Sequence, residues 1–143
     1  MLVKQISVFL ENKSGRLAEV TKVLGSHEID IGALSIADTT DFGVLRLIVN
    51  KPEEAESILK EKDFLVSSAS VVAVSIDDKP GGLAVALSAL ESERMSIEYM
   101  YAFVGKAANE AIVILKVEDP QKAVEVLKRH DIKVLPSKVV YNL

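Results

Sequence analysis

The feature that most constrains this chain is an internal repeat. The run ENKSGRLAEV begins at Glu11, and the similar run DDKPGGLAVA begins at Asp77, 66 positions later. This shift aligns Gly15 with Gly81. Further along each copy the shift becomes 68, because the second copy is two residues longer in the loop where GKAANE takes the place of DTTDFG. A length difference confined to a polar hairpin loop is what a duplicated fold tolerates. The sequence therefore predicts two copies of one unit, in residues 1–70 and 71–143.

Each copy shows the same order of hydrophobic periodicities. In the first, KQISVFL alternates as a strand does, and residues 15–26 place apolar side chains at helical spacing. Two β-rich runs flank DTTD as a hairpin, Pro52 suits the first turn of a second helix, and FLVSSASVV supplies a closing strand. In the second copy the same pattern predicts strands over residues 72–76, 96–104, 111–118 and 134–141.

This βαββαβ order predicts an α+β fold of two ferredoxin-like units in tandem. Each unit should have an antiparallel sheet with its helices on one face, and the units should pack side by side because no linker separates them. One strand, AIVILKV, is apolar at consecutive positions, with Ile112 and Ile114 on one face and Val113 and Leu115 on the other. We expect the second face to meet another subunit, so the sequence predicts a homo-oligomer, with a dimer favoured.

Composition excludes several classes of function. The chain has 143 residues, of which 49% are hydrophobic, so it can bury a core without disulfides or metal. It contains no cysteine, which excludes thiolate metal sites and cysteine chemistry. Its net charge is -4 with no basic patch, which argues against nucleic acid as a partner. No apolar run is long enough to span a membrane and no secretory signal is evident, so we expect a cytoplasmic protein. We also expect no cofactor and no metal.

The repeated turn leads from a strand into a helix, and helix N-termini attract anionic groups. Gly15, Gly81 and Gly82 would let a ligand approach the backbone closely. Asn12 and Asp78 stand three residues before a glycine, where an oxygen could accept hydrogen bonds from an ammonium group. Such a pairing suits a free amino acid. The alternative is local: the glycines serve the turn, a serine caps the helix and a proline occupies its first position.

Both copies resemble the ACT domain, a small regulatory module that senses amino acids. The resemblance rests on the pattern [ND]-x-x-G-x-L, a helix, the I-x-I of IDIGALSIA and a glycine-bearing hairpin, and it covers nearly the whole chain. It implies a free-standing ACT pair that is not an enzyme. It also implies a small-molecule ligand held between paired ACT domains, with a regulated enzyme or another protein as a further partner.

The resemblance implies ligand contacts from the loop after the first strand and from the start of the second strand. In this sequence those positions are Asn12, Ser14, Gly15, Arg16, Leu17, Asp30, Ile31 and Ala33 in the first copy, and Asp78, Pro80, Gly81, Gly82, Leu83, Ser96, Ile97 and Tyr99 in the second. The copies differ in chemistry, because Pro80 lacks the backbone donor of Ser14 and Gly82 lacks the side chain of Arg16. We therefore expect two unequal sites, or one occupied site.

Three other functions are compatible with parts of the sequence. His27 and His130 could serve an enzyme, but both lie near predicted helix ends. Arg16 beside a glycine turn resembles the phosphate loop of acylphosphatases, which share the βαββαβ order, so an acylphosphatase-like enzyme is a further alternative, although the surrounding residues do not resemble that loop. Tyr99, Tyr101 and Phe103 alternate along one strand and could stack on RNA bases, although such rings more often fill a core. A ligand-free structural or protein-interaction module with the same fold is the remaining alternative.

Overall fold

A computed structural model describes residues 2–11, 13–38, 41–104 and 109–143. The secondary structure follows the two predicted copies. The elements are β1 (Val3–Glu11), α1 (Arg16–Ser26), β2 (Ile31–Asp38), β3 (Phe42–Val49), α2 (Pro52–Glu61), β4 (Leu65–Asp77), α3 (Gly82–Ser92), β5 (Ile97–Ala102), β6 (Glu110–Val117), α4 (Pro120–Arg129), β7 (Lys133–Leu135) and α5 (Ser137–Val140).

The two βαββαβ units share one long strand. The 13 residues of β4 pair with β1 through their first part and with β6 and β7 through their second part, all antiparallel. The resulting sheet has the order β2-β3-β1-β4-β6-β5, with β7 also beside β4. The predicted boundary at residue 70 lies inside this strand, which explains why the sequence carries no linker there. We call the two halves unit 1 and unit 2.

Local sequence signals place most of the element ends. Pro52 and Pro120 each occupy the start of a helix, as the sequence predicts for the first of them, and Asp119 accepts a hydrogen bond from the backbone N–H of Lys122. The closing strand of unit 2 is shorter than the predicted residues 134–141. It ends at Leu135, because Pro136 has no N–H to continue the ladder and a short helix, α5, follows it.

Each unit packs its two helices against one face of the sheet, which we call the outer face. In unit 1, Leu24 of α1 and Leu59 of α2 are fully buried in one apolar cluster with Leu45 and Leu47. In unit 2, Leu90 and Leu127 occupy the equivalent positions against Leu115. These clusters confirm the helical periodicity read from the sequence.

The opposite, inner face closes on itself. The sheet curls until its two edge strands meet at a bridge between Ala33 and Phe103, where Gly32 accepts a hydrogen bond from Val104 N–H at 3.1 Å. A Cβ on Gly32 would stand 3.0 Å from the Phe103 ring, so glycine permits this approach. The inner face then forms a third apolar cluster, which includes Val71, Ala73, Ile112, Ile114 and Leu135.

This closure corrects the reason given for an oligomer. Ile112 and Ile114 do lie on the face opposite the helices, but the chain's own other half covers them. Another subunit is therefore not needed to bury that strand. Tyr101 and Phe103 lie in the same cluster, so these rings fill the contact between the units rather than a surface for bases.

Candidate functional site

Both repeated turns place a glycine in the left-handed region immediately before the helix. Gly15 has φ 87° and Gly81 has φ 86°, and each is the N-cap of its helix. A Cβ at either position would meet no atom within 4 Å, so glycine is favoured here by the positive φ and not by a lack of space. The local alternative is wrong in its details, because Ser14 is not the cap and Pro80 precedes the helix by two residues.

Gly82, the first residue of α3, is required by the chain itself. A Cβ there would lie 2.0 Å from the carbonyl oxygen of Asp77. Glycine at this position therefore lets the start of α3 pack against the end of β4, and this contact explains the glycine without a ligand. The N–H of Gly82 donates to the carbonyl oxygen of Lys79 at 3.0 Å. No side chain in the described part of the chain hydrogen-bonds to the N–H groups of Leu83 and Ala84, so these two remain available as donors at this end of the helix.

A pocket of about 240 Å³ opens beside this helix start in unit 2. Its floor and apolar wall are formed by Ser75, Ile76, Gly82, Val85, Ala86 and Ile132. Ser75 is 7% exposed, and its Oγ has no hydrogen-bond partner among the described residues. The volume lies below the range of about 300–1,000 Å³ usual for drug-sized ligands, so only a small molecule would fit in it.

Charges of both signs surround the mouth of the pocket: Asp77, Lys79, Glu110, Asp131 and Lys133. Lys79 Nζ lies 3.6 Å from Asp77 Oδ2, and Lys133 Nζ lies 3.6 Å from Glu110 Oε1. These are exposed ion pairs of a kind that contributes about 0–1 kcal/mol, so either partner can turn to a ligand at little cost. A mouth with lysines and carboxylates suits a zwitterion.

The equivalent place in unit 1 is filled by a side chain. The repeat aligns Arg16 with Gly82, Glu19 with Val85 and Phe64 with Ile132. The guanidinium carbon of Arg16 lies 4.7 Å from the centre of the Phe64 ring, and Nη1 bonds Glu19 Oε2 at 2.9 Å. Arg16 therefore lies across the position that Gly82 leaves open, which gives the two turns different structures.

The structure does not bring all of the predicted site residues together. Within unit 1, Glu11 at the end of β1 pairs with Phe42, whereas Ile31 at the start of β2 pairs with Val49, the other end of the same strand. The two predicted groups thus lie at opposite ends of the unit, so one small ligand does not touch both groups of the same unit. Asn12 lies outside the described residues.

The predicted residues also differ in exposure. Ser14, Leu17, Asp30, Asp78, Pro80 and Ser96 are exposed. Ile31, Leu83, Ile97 and Tyr99 are half-buried and contribute to the clusters beneath the helices or between the units. Ala33 is fully buried at the bridge that closes the sheet.

A buried polar network lies between the units, next to Tyr99. The fully buried Gln5 donates through Nε2 to Tyr99 Oη at 2.7 Å and to Ser7 Oγ at 3.1 Å, and its Oε1 accepts from Tyr101 Oη at 2.7 Å. The two tyrosine rings are stacked with their centres 6.5 Å apart. Burial raises the pKa of the Tyr101 hydroxyl far above its usual value, so this donor keeps its proton.

Comparison with known families decides what kind of protein has this pair of units. A family model described as an ACT domain pair matches residues 1–143. The chain belongs to the ACT family. The two units described above are therefore ACT units, and their tandem arrangement is that of the family model.

Solved structures agree with this assignment. A crystal structure of a protein from Bacteroides thetaiotaomicron is 43% identical, with a TM-score of 0.94 over 100% of this chain and 98% of the other. The ligand-free regulatory subunit of aspartate kinase from Thermus thermophilus is 17% identical, with a TM-score of 0.65 over 90% of this chain and 93% of the other, and shows the same fold. No curated protein matches the chain.

Sequence reasoning missed most residues of the unit 2 pocket. It identified Gly82, but not Ser75, Lys79 or the turn that contributes Asp131, Ile132 and Lys133. One signal was present: the repeat aligns Ser75 with Phe9, so a polar residue replaces an aromatic one within the otherwise apolar stretch VVAVSI. No helix in the part of the chain described here is long and apolar enough to cross a membrane.

Proposed function

We propose that this ACT pair is a regulatory protein that binds a free amino acid at the pocket of unit 2. The main support is the pocket itself, a space of about 240 Å³ beside the start of α3, which has no side-chain cap, with lysines and carboxylates at its mouth. The first-turn N–H groups and a lysine suit the α-carboxylate, while Asp77, Glu110 or Asp131 suits the ammonium group. The likeness to the aspartate kinase regulatory subunit supports the fold of this site and not its ligand.

The proposal gives the two ACT units different roles. Unit 2 binds the ligand, and unit 1, whose turn is covered by Arg16 and Phe64, does not bind it at that place. Neither unit is assigned a catalytic step. A bound ligand changes the behaviour of a partner enzyme or of another copy of the chain only as far as it binds one arrangement more tightly than the other.

Calorimetry with each of the twenty common amino acids tests the proposal. We expect one or a few related amino acids to bind with a stoichiometry of one per chain. At a hundredfold excess over Kd such a ligand stabilises the native state by about 2.7 kcal/mol, which a thermal-shift measurement detects. If no amino acid binds, the chain is better described as a structural or protein-interaction module.

A matched pair of variants tests which of the two units binds the ligand. Val85 is 63% exposed and lines the pocket, so Val85→Trp should block it without disturbing the core. Glu19 is the aligned residue in unit 1, and Glu19→Trp is the control. We expect the first variant to lose binding and the second to retain it. The reverse result would move the site to unit 1.

A further inference from the structure

A second polar feature lies on the inner face of unit 1, away from the pocket of unit 2. The strand registers pair Ser7 with Ser67 and with Arg46, and Arg46 with Ser35. These four residues form one row across β4, β1, β3 and β2. Residues directly opposite each other in a sheet have Cβ atoms about 5 Å apart, so Arg46 stands between Ser7 and Ser35, with Ser67 one strand further.

Arg46 has no acceptor for its charge within the described residues. Its guanidinium carbon lies 3.7 Å from the centre of the Tyr99 ring, and the structure shows no hydrogen bond or ion pair to it. The side chain is half-buried, so part of its hydration has been removed. A ring face compensates only a part of this loss, because an arginine has five N–H donors that need oxygen acceptors.

The neighbouring hydroxyls add further donors. Ser7 Oγ and Tyr99 Oη each accept a hydrogen bond from Gln5 Nε2. Tyr101 fixes the orientation of that amide by donating to Gln5 Oε1. The hydroxyl hydrogens of Ser7 and Tyr99 are therefore free to donate, and Ser7 is 7% exposed, so its hydroxyl is held in place. This corner offers donors in excess of acceptors, and the chemistry that complements it is an oxyanion.

An apolar row runs beside the polar one. Phe9 pairs with Leu65 and with Val44, and Val44 pairs with Ala37, two residues along each strand from the polar row and so about 7 Å away. Phe9 is 39% exposed and Leu65 is 69% exposed. Apolar side chains of this kind on four adjacent strands would ordinarily be covered.

The aligned positions of unit 2 have apolar residues that are buried. The repeat aligns Ser7 with Ala73, Arg46 with Ile114 and Val44 with Ile112. Those three residues of unit 2 are 0%, 0% and 7% exposed, in the order given. At Arg46 and Val44 the inner face of unit 1 is thus more exposed than at the same positions of unit 2, where apolar residues belong to the core.

From these contacts we infer that the inner face of unit 1 binds a small carboxylate with an apolar body. The carboxylate lies between the Arg46 guanidinium and the hydroxyls of Ser7 and Tyr99. The apolar body lies along Phe9, Val44 and Leu65. An aromatic or branched aliphatic acid fits both rows, whereas acetate fits only the polar row and a neutral aromatic alcohol fits only the apolar one.

NMR titration of the full-length, 15N-labelled protein tests this inference, with phenylacetate as the probe and acetate and 2-phenylethanol as controls. We expect phenylacetate to shift the Arg46 Nε–Hε signal and the amides of Ser7 and Val44 saturably, and to bind at least tenfold more tightly than either control. Shifts confined to the turn before α3 would overturn the inference, because they would place the probe in the pocket of unit 2.

Three variants complete the experiment. Arg46→Gln should weaken phenylacetate binding about tenfold, equivalent to about 1.4 kcal/mol. Arg129→Gln, which changes an exposed arginine on α4, should leave it unchanged. Leu65→Asp alters an exposed side chain of the apolar row, so it should preserve the fold and weaken binding several-fold. Equal affinities for Arg46→Gln and Arg129→Gln would refute the site. Amino-acid binding in unit 2 should be the same in all three variants, so the experiments test the two proposed sites independently.

Discussion

Two serines of equal burial should respond in opposite ways to loss of their hydroxyl. Ser75 and Ser7 are each 7% exposed and each lies within a strand of the sheet. Ser7 Oγ accepts a hydrogen bond from Gln5 Nε2 at 3.1 Å, whereas Ser75 Oγ has no partner in the part of the chain that the structure describes. The pair therefore separates the energy of a satisfied hydroxyl from that of an unsatisfied one at constant burial.

The magnitudes follow from what each oxygen contacts. A buried hydroxyl without a partner costs about 1–3 kcal/mol, so Ser75→Ala should raise the free energy of unfolding by about 1 kcal/mol. Ser7→Ala removes a net hydrogen bond and leaves an amide hydrogen of Gln5 unpaired, so it should lower that free energy by about 1–2 kcal/mol. Both changes are serine to alanine within β-strands, so differences in intrinsic propensity cancel.

Urea unfolding followed by far-ultraviolet circular dichroism measures both effects. With a slope of about 2 kcal/mol per molar urea, the midpoint should rise by about 0.5 M for Ser75→Ala and fall by about 0.5–1 M for Ser7→Ala. A lower midpoint for Ser75→Ala would refute the reasoning, because it would mean that the hydroxyl is satisfied. If the amino-acid ligand bonds to this hydroxyl, the gain should shrink when the ligand is present.

Three further predictions concern the turns and the buried network. Gly15→Ala and Gly81→Ala should each lower the free energy of unfolding by about 1–2 kcal/mol, because a Cβ in the left-handed region is strained even where the surrounding space is open; equal stability to the parent in urea would contradict this. Gly82→Ala should cost more than either, since its Cβ meets the chain's own backbone, and the same urea series checks the order. Burial puts the folded pKa of Tyr101 above its unfolded value of about 10, so the stability it contributes is complete below pH 10 and falls as pH rises. Tyr101→Phe should therefore flatten the loss of stability above pH 10, and an unchanged slope would exclude this hydroxyl as its source.

Local patterns predicted the fold well, because each element carries its own signal. The repeat, the order of strands and helices and the position of Pro52 all follow from spacing within about ten residues. The short β7 was not foreseen, although Pro136 marks its end, because Val134, Val139 and Val140 are β-branched residues, which favour a strand. In the structure the latter two belong to α5 and its packing.

The closed inner face could not be read from the sequence for a different reason. Consecutive apolar residues around Ile112 and Ile114 show that both faces of a strand are buried, but not what buries them. That depends on how far the sheet curls, which brings Ala33 to Phe103 across the whole width of the sheet. The candidate pocket has the same difficulty, since Ser75 and Lys133 come from segments that only the folded sheet places side by side.

The two ACT units have diverged in a complementary way. At the helix start, unit 1 fills the space with Arg16 over Phe64, and unit 2 opens it with Gly82. On the inner face the order is reversed, because unit 2 has the buried Ile114 where unit 1 has Arg46, which meets no acceptor among the described residues. A ligand that merely needed two equal sites would leave the copies alike at both places. The alternation instead gives each unit one distinct opening, so a molecule bound in unit 2 and a carboxylate bound in unit 1 can be tested for coupling through the strand β4 that the units share.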